Sequence, residues 1–176
     1  MNRTTRNAVA TLSKTVSKNW APEVNHDITV INAISLVDCF TDHIMRNTIG
    51  ERAACKKGCP RCCTAPRLKI TLSELRYIQR YMRDNKKIFM SSASDKACPM
   101  LSGGLCSVYP VRPIMCRGWI SRDASWCESP PRQFVLKDES TPISYRAYLA
   151  AKSVQDALCY VLNEKAMPVI EAIGRV

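Results

Sequence analysis

The chain has 176 residues, of which 46% are hydrophobic and 23% are charged, a balance typical of a folded globular protein and not of a disordered one. Its 26 basic and 15 acidic residues give a net charge of +11, which at face value suggests an anionic partner such as nucleic acid, although that partner is not the favoured explanation. Ten cysteines at this length indicate either a disulfide framework in a secreted protein or metal and redox chemistry in a reducing compartment.

The first 20 residues contain basic side chains, no acidic ones, and many Ser and Thr. We expect a basic arm or a loosely held first helix here, followed by one domain over residues 21–176. The same composition is found in organellar transit peptides, although nothing marks a cleavage site. Neither a signal-peptide run nor a stretch of about 18 apolar residues is evident. We therefore expect a cytoplasmic protein with reduced thiols and no membrane partner.

The next segment predicts a first core helix. Asp27 can cap this helix, which then runs to about Ile49 and stops at Gly50. Apolar residues recur near helical spacing along it, at Ile28, Ile31, Ile34 and Val37. We expect this face of the helix to lie against the core.

Two further helices are indicated later in the chain. Thr71 and Glu74 form a capping box that opens the second helix, which ends over residues 84–87. Its apolar positions are Leu72, Leu75, Ile78 and Met82. Thr141 followed by Pro142 opens the third helix, because proline fits the first helical turn, and Pro168 breaks or kinks it. Its apolar positions are Tyr145, Leu149, Val154, Leu158, Val161 and Leu162.

Segments 50–70 and 91–140 follow neither the helical nor the strand period and are rich in Cys, Pro, Gly, Arg and Ser. Loops longer than about 12–15 residues are uncommon unless something ties them down. The sequence therefore predicts a mainly α fold, in which a small helical scaffold carries long, irregular, cysteine-rich loops that bind metal.

Eight of the ten cysteines fall in these loops, at Cys55, Cys59, Cys62, Cys63, Cys98, Cys106, Cys116 and Cys127. The first four form a CxxxCxxCC pattern, and cysteines three residues apart can bring two sulfurs to one zinc or iron-sulfur centre. Adjacent Cys62 and Cys63 point in different directions, so they either serve two centres or wrap around one. A disulfide framework is the alternative, and it requires an oxidising compartment.

The other two cysteines, Cys39 and Cys159, lie in predicted helices among apolar residues, and we expect both in the core. Cys39 and His43 could instead share a helix face and hold zinc together. A pair is weak evidence in a chain with only two histidines, so we leave both residues outside the predicted site.

Several cations are interspersed with the loop cysteines, at Lys56, Lys57, Arg61, Arg67, Arg112 and Arg117. A four-thiolate site carries a formal charge of about −2, so nearby cations would lower the pKa of the thiols and offset buried negative charge. Tyr109, Arg112 and Arg117 are candidate cofactor-binding residues, because arginine can donate hydrogen bonds to metal-bound sulfur. A rigid turn with a solvated cation is the alternative interpretation of Tyr109 and Arg112.

The pattern of these residues resembles the YkgJ-type cysteine-cluster family. The resemblance rests on the first four cysteines, on Cys98-Pro-Met-Leu and Gly104-Leu-Cys106-Ser-Val-Tyr109, and on Arg112-Pro-Ile-Met-Cys116-Arg117, and it covers roughly residues 55–127. That family is described as chelating zinc or iron through eight cysteines, which implies that the eight loop cysteines are the ligands. The first pair here is spaced CxxxC, where many relatives have CxxC.

Two functions remain in competition. In the first, the cysteines hold an iron-sulfur cluster, of the 4Fe-4S type, and the protein transfers electrons or senses redox state with an unknown partner protein. In the second, zinc stabilises a binding module, whose basic surface contacts nucleic acid. All-thiolate ligation suits both metals. No paired carboxylates or nucleophile-base couple indicate a conventional enzyme, so the enzyme class stays open between an iron-sulfur oxidoreductase and an accessory protein.

Overall fold

Helices dominate the structure, a computed structural model that describes residues 2–16, 22–49, 53–55, 58–63, 69–87, 97–128 and 143–173. The α-helices in these ranges are α1 (Arg3–Val16), α2 (Pro22–Ile44), α3 (Leu72–Asp84), α4 (Ile114–Gly118), α5 (Ala124–Glu128), α6 (Tyr145–Leu162) and α7 (Val169–Ile173). Four two-residue strands accompany them, β1 (Lys69–Ile70), β2 (Leu101–Ser102), β3 (Leu105–Cys106) and β4 (Met167–Pro168). The predicted mainly α fold is confirmed.

The main core lies where α1, α2 and α4 pack against α6. Small residues on α6, among them Ala147, Ala151 and Ala157, are fully buried and let the other helices approach closely. Leu12 of α1 is also fully buried in this core. Of the two alternatives for the N-terminal segment, residues 3–16 therefore take the helical one.

The first predicted helix was wrong in its start and only partly right in its buried face, where Val37 is fully buried as expected. Helix α2 begins at Pro22, ahead of Asp27, whose carboxylate does not cap it but pairs with Arg80 at 2.6 Å. Ile31 is 41% exposed, whereas Val30 and Ala33 are fully buried. Apolar residues occur on several sides of this helix, so the period alone did not identify the inward face. A π-helical turn, Met45–Ile49, continues it, and the predicted stop at Gly50 lies outside the described residues.

The second predicted helix is confirmed as α3. Thr71 and Glu74 form the capping box, because each side chain accepts the backbone N–H of the other residue. Asn85 provides the C-cap, and the face formed by Leu75, Ile78 and Met82 is buried. These residues form a second core with Met100, Val108, Val111, Val169 and Ala172. That core lies directly beneath the cysteine-bearing segment 98–111.

The third predicted helix is confirmed as α6, with different ends. Ser144 is its N-cap, with a hydroxyl that accepts the Ala147 N–H, while Thr141 and Pro142 lie outside the described residues. Asn163 ends the helix in the left-handed conformation, with φ of 53°. Pro168 neither breaks nor kinks it, because Pro168 instead lies in β4, opposite Lys69 of β1.

One helix in the described ranges, His26–Asn47, is long and apolar enough to cross a membrane by length and composition. Length and composition alone are weak evidence for a membrane span; 28% of the apolar window of this helix is buried, and α2 contacts α1, α3, α4 and α6.

Candidate metal centre

All eight loop cysteines line one cavity of about 300 Å³. They come from a 3₁₀ turn (Arg61–Cys63), from the residues before it, from the β2–β3 hairpin, from α4 and from α5. All ten cysteines of the chain lie within the described residues, and all are free thiols. Cys39 and Cys159 do not line this cavity.

The prediction that Cys39 and Cys159 are core residues was wrong for Cys39, which is exposed on α2, while Cys159 is half-buried. His43 is also exposed, and its Nδ1 lies 3.2 Å from the Asn47 amide nitrogen. Their position on a helix with several apolar sides explains the error at Cys39, since only some of those sides face the core.

One side of the cavity is organised around Ser121. The Ser121 N–H donates to the Cys55 sulfur at 3.1 Å, and the Ala54 N–H donates to the Ser121 carbonyl at 2.8 Å. Helix α5 starts just beyond and carries Cys127, whose thiol donates to the Asp123 carbonyl at 3.8 Å. Helix α5 also contacts the turn over residues 61–63. Cys55 and Cys127 therefore lie close to Cys59 and Cys62 on this side of the cavity.

The opposite side is built on the β2–β3 hairpin. Gly103 and Gly104 take positive φ angles in its turn, and Cys106 pairs with Leu101 across it. The Cys98 N–H donates to the Cys63 carbonyl at 2.6 Å, which joins the hairpin to the 3₁₀ turn. Cys63, Cys98 and Cys106 therefore share one wall of the cavity.

Backbone donors already face two of these sulfurs. Burial raises the pKa of Cys98 to about 11, although the Met100 N–H donates to its sulfur and acts in the opposite direction. Burial likewise raises the pKa of Cys106, against the N–H of Val108. An N–H two residues beyond a cysteine stabilises the thiolate over the thiol. These two N–H groups offset part of the cost of burying a thiolate, but burial still favours the protonated thiol at both cysteines.

Cys116 enters the cavity from α4, whose position depends on Glu74. The buried Glu74 carboxylate accepts the Ile114 N–H at the start of α4 at 2.8 Å, while it also accepts the Thr71 N–H at 2.9 Å and the Gln155 amide at 3.3 Å. Burial raises the pKa of Glu74 in spite of these donors. One carboxylate therefore connects α3, α4 and α6 and fixes the helix that presents Cys116.

The adjacent pair, Cys62 and Cys63, differs sharply in acidity. A hydrogen bond between the two thiols, helped by the charge of Arg112, lowers the pKa of Cys62 to about 7, and the same bond and burial raise the pKa of Cys63 far above its ordinary value. Burial raises the pKa of Cys55 to about 11 and that of Cys116 well above its ordinary value. Most of these thiols are therefore protonated at neutral pH, so a metal bound by them would release protons and its binding would depend on pH.

Arg112 and Tyr109 also line the cavity. The Arg112 guanidinium carbon lies 4.3 Å from the centre of the Tyr109 ring, which holds the side chain in place. Its Nε is buried, and among the described residues it has no hydrogen-bond partner. A buried N–H without an acceptor is costly, so this atom is suited to donate to a group that fills the cavity.

Arg117, the third candidate, also lines the cavity, while its guanidinium donates to acceptors of the protein itself. It is 6% exposed and donates to Asp38 of α2 at 2.6 Å, to the Arg112 carbonyl at 3.0 Å and to the Pro110 carbonyl at 2.8 Å. It therefore holds the backbone on which Arg112 sits. Arg61 also lines the cavity, whereas Lys56, Lys57 and Arg67 lie outside the described residues.

The sulfurs are gathered but not preassembled. No group of three or more His, Cys, Asp or Glu side chains within the described ranges is arranged to hold one metal ion. The donor set itself fits a thiophilic metal, since it consists of free thiols with arginine donors beside them. Rotation of cysteine side chains, including separation of Cys62 from Cys63, must then accompany binding.

Ser121 and Asp38 were not predicted as residues of the site, and Glu74 was predicted only as part of a helix cap. Ser121 and Cys55 are 66 residues apart, and Arg117 and Asp38 are 79 apart. No local spacing connects partners so distant in the chain, so these contacts had no signal in the sequence.

Comparison with known proteins gives one match. Residues 54–131 match the family model CxxCxxCC, described as "Putative zinc- or iron-chelating domain". The match covers less than half of the chain; it agrees with the resemblance seen in the sequence and supports metal binding by this segment. No curated protein and no solved structure matches the chain.

Proposed function

We propose, from the premise that residues 54–131 carry the CxxCxxCC zinc- or iron-chelating domain, that the cavity holds iron-sulfur and that the protein transfers electrons or senses redox state. Metal binding follows from the family match. The iron-sulfur cofactor, the redox role and a protein partner in that role are the proposal, together with a reducing compartment such as the cytoplasm.

The observation that carries the choice of iron-sulfur is the Arg112 donor at the cavity, and the cavity has room for a cluster of several atoms. The cavity measures about 300 Å³, the share of liquid volume that roughly ten water molecules occupy. The Nε of Arg112, which has no acceptor within the described part of the chain, is a donor for sulfur, and hydrogen bonds to sulfur are among the factors that set the potential of a cluster.

The packing supports two groups of four ligands. Cys55, Cys127 and Cys59 lie on the Ser121 side of the cavity. They are close enough together that the charge of one thiolate raises the pKa of a neighbouring thiol. The hairpin wall carries the second group, Cys63, Cys98 and Cys106, which Cys116 joins from α4. Cys62 is close to both groups and completes the first, so the adjacent pair would serve two centres.

Within this arrangement the three residues beside the cysteines have separate roles. Bound iron-sulfur would supply reversible one-electron transfer. Arg112 would donate to sulfur and offset negative charge, Tyr109 would keep its guanidinium in place, and Arg117 would hold the backbone beneath it. The apolar second core beneath residues 98–111 would keep water from that side of the site.

Anaerobic purification followed by iron, zinc and sulfide analysis tests the proposal. We expect a brown protein with iron and acid-labile sulfide. A colourless protein with stoichiometric zinc would instead support the zinc-stabilised binding module, and a protein that binds neither metal would reject both functions.

Cysteine variants test the ligand set and its division. Replacing Cys62 or Cys116 by serine should lower the metal content, whereas Cys39→Ser, exposed on α2, should leave it unchanged. Cys59→Ser and Cys106→Ser should each remove about half of the bound metal, because they belong to different groups. Equal and complete loss in both would contradict two centres, and unchanged metal content would exclude the mutated cysteine as a ligand.

An Arg112→Gln variant tests the redox role. Loss of a cationic donor to sulfur should lower the reduction potential, which protein-film voltammetry measures. Arg83→Gln, an exposed change on α3, is the control and should leave the potential unchanged. An unaltered potential in Arg112→Gln would contradict the assigned role.

A further inference from the structure

A second cavity, of about 710 Å³, lies between the start of α2 and one face of α3. Its walls are polar: Arg76, Arg80 and Arg83 project from α3, and His26 and Asp27 from α2. None of its lining residues lines the cysteine cavity. The groove is therefore separate from the candidate metal centre.

The three arginines form a row along one side of α3. They are four and three residues apart, so they lie on one helix face, opposite the buried face of Leu75 and Ile78. Like charges at this spacing destabilise a helix. Of the three, only Arg80 has its charge offset, by an ion pair with Asp27 at 2.6 Å. The side chains of Arg76 and Arg83 are exposed and have no ion-pair or hydrogen-bond partner among the described residues. Two guanidiniums remain free to bind an anion.

A part-buried hydrogen-bond network centred on Ser73 of α3 holds His26 of α2 in the groove. The Ser73 hydroxyl donates to Glu164 at 2.7 Å, and the Ser73 N–H donates to the same carboxylate at 3.1 Å. Because that hydroxyl proton is engaged, Nδ1 of His26 donates to the Ser73 oxygen, at 3.0 Å. The His26 ring is thus fixed beside the arginine row and offers a flat surface on which a base can stack.

We propose that this groove binds the phosphate backbone of a nucleic-acid strand. A row from residue 76 to residue 83 is about 10 Å long at 1.5 Å per residue. Successive phosphates of one strand rise about 3.4 Å along the axis of a duplex and lie farther apart in space because the backbone winds around that axis, so the row is long enough to span more than one phosphate but not a longer run. A single phosphate would call for guanidiniums that converge on one point. Arginine matches phosphate in two-point geometry, and the net charge of +11 favours the approach of a polyanion.

Fluorescence anisotropy with the full-length, metal-loaded protein and a fluorescein-labelled 12-nucleotide single strand of mixed sequence tests the proposal. The test variant is Arg76→Gln/Arg83→Gln. The control variant is Arg3→Gln/Arg6→Gln, which removes the same charge from exposed positions of α1. Circular dichroism and metal content verify that both remain folded.

We expect salt-dependent binding by the wild type and a loss of about tenfold or more in affinity at low salt for the α3 pair. The slope of log K against log salt should fall by about 1.4, since each phosphate contact on a single strand contributes about 0.7. The α1 pair should change affinity by less than about threefold, as it removes only long-range attraction that salt screens.

Three results would overturn the proposal. They are the absence of binding at low salt, an equal loss in the α1 and α3 pairs, and competition by polyglutamate as strong as that by unlabelled oligonucleotide. The last result would identify the groove as a site for an acidic peptide.

Discussion

Gly118 occupies the closest contact between α4 and α6, two residues after Cys116. A Cβ atom at this position would lie 2.3 Å from the Cβ of Ala151 and 2.7 Å from the Ala147 carbonyl oxygen. Carbon atoms in contact lie about 3.5–4.0 Å apart. Neither neighbour can rotate away, because one is a backbone atom and the other is attached directly to the backbone. Gly118→Ala must therefore push α4 away from α6 by about 1 Å, given that spacing.

The expected cost lies at the upper end of the range for an overpacked core, about 3 kcal/mol. In a protein of this size each kcal/mol lowers Tm by about 2–4 °C, so the melting temperature should fall by about 6–12 °C. Metal content should fall as well, because α4 carries Cys116 into the cavity.

Thermal unfolding followed by circular dichroism measures the effect, with Gly103→Ala as the matched control. Gly103 has φ of +55°, and a Cβ atom added there would have no neighbouring atom within 4 Å, so an alanine meets backbone strain but no clash. That strain costs about 1 kcal/mol. If Gly118→Ala melted no lower than Gly103→Ala, the close contact between α4 and α6 would be wrong.

Three further perturbations follow from the same contacts. Glu74→Gln leaves one of its buried backbone donors without an acceptor and should lower the free energy of unfolding by about 1–3 kcal/mol; an unchanged urea midpoint would refute its role as a connection between helices. Arg117→Gln should lower the free energy of unfolding by about 2–3 kcal/mol. Asp38→Asn should lower it by less than about 1 kcal/mol, because the Asp38 side chain is 42% exposed. A larger loss for Asp38→Asn than for Arg117→Gln would contradict the role of Arg117 as the buried partner that holds several acceptors. In metal-free protein, the rate of alkylation of Cys62 should increase as pH rises through about 7, where its thiolate forms. Peptide mass mapping measures this rate at each pH. A midpoint near the ordinary pKa of 9.0 would contradict the hydrogen bond from Cys63.

Local signals in the sequence were sufficient where one segment determined its own structure. The capping box of Thr71 and Glu74 predicted the start of α3, since both partners lie within one helical turn. The start of α2 could not be predicted in the same way. Aspartate is a common N-cap residue, but Asp27 instead forms an ion pair with Arg80 of another helix.

The candidate site depended on contacts between distant parts of the chain. The cysteine spacing predicted a metal-binding segment, and the structure brings its eight sulfurs to one cavity. What places them there was not evident from spacing. Glu74 holds the start of α4 from 40 residues away, and Ser121 holds Cys55 from 66 residues away. The arginine row on α3 was visible in the sequence only as part of the net charge, because the groove needs α2 as its second wall.

X-ray absorption at the metal edge of the anaerobically purified protein tests most directly whether these cysteines bind metal. If the eight cysteines are the ligands, sulfur atoms alone are bonded to the metal, with iron neighbours at short range if the cofactor is iron-sulfur. Oxygen or nitrogen ligands, or a fully ordered protein that contains neither iron nor zinc, would contradict this account.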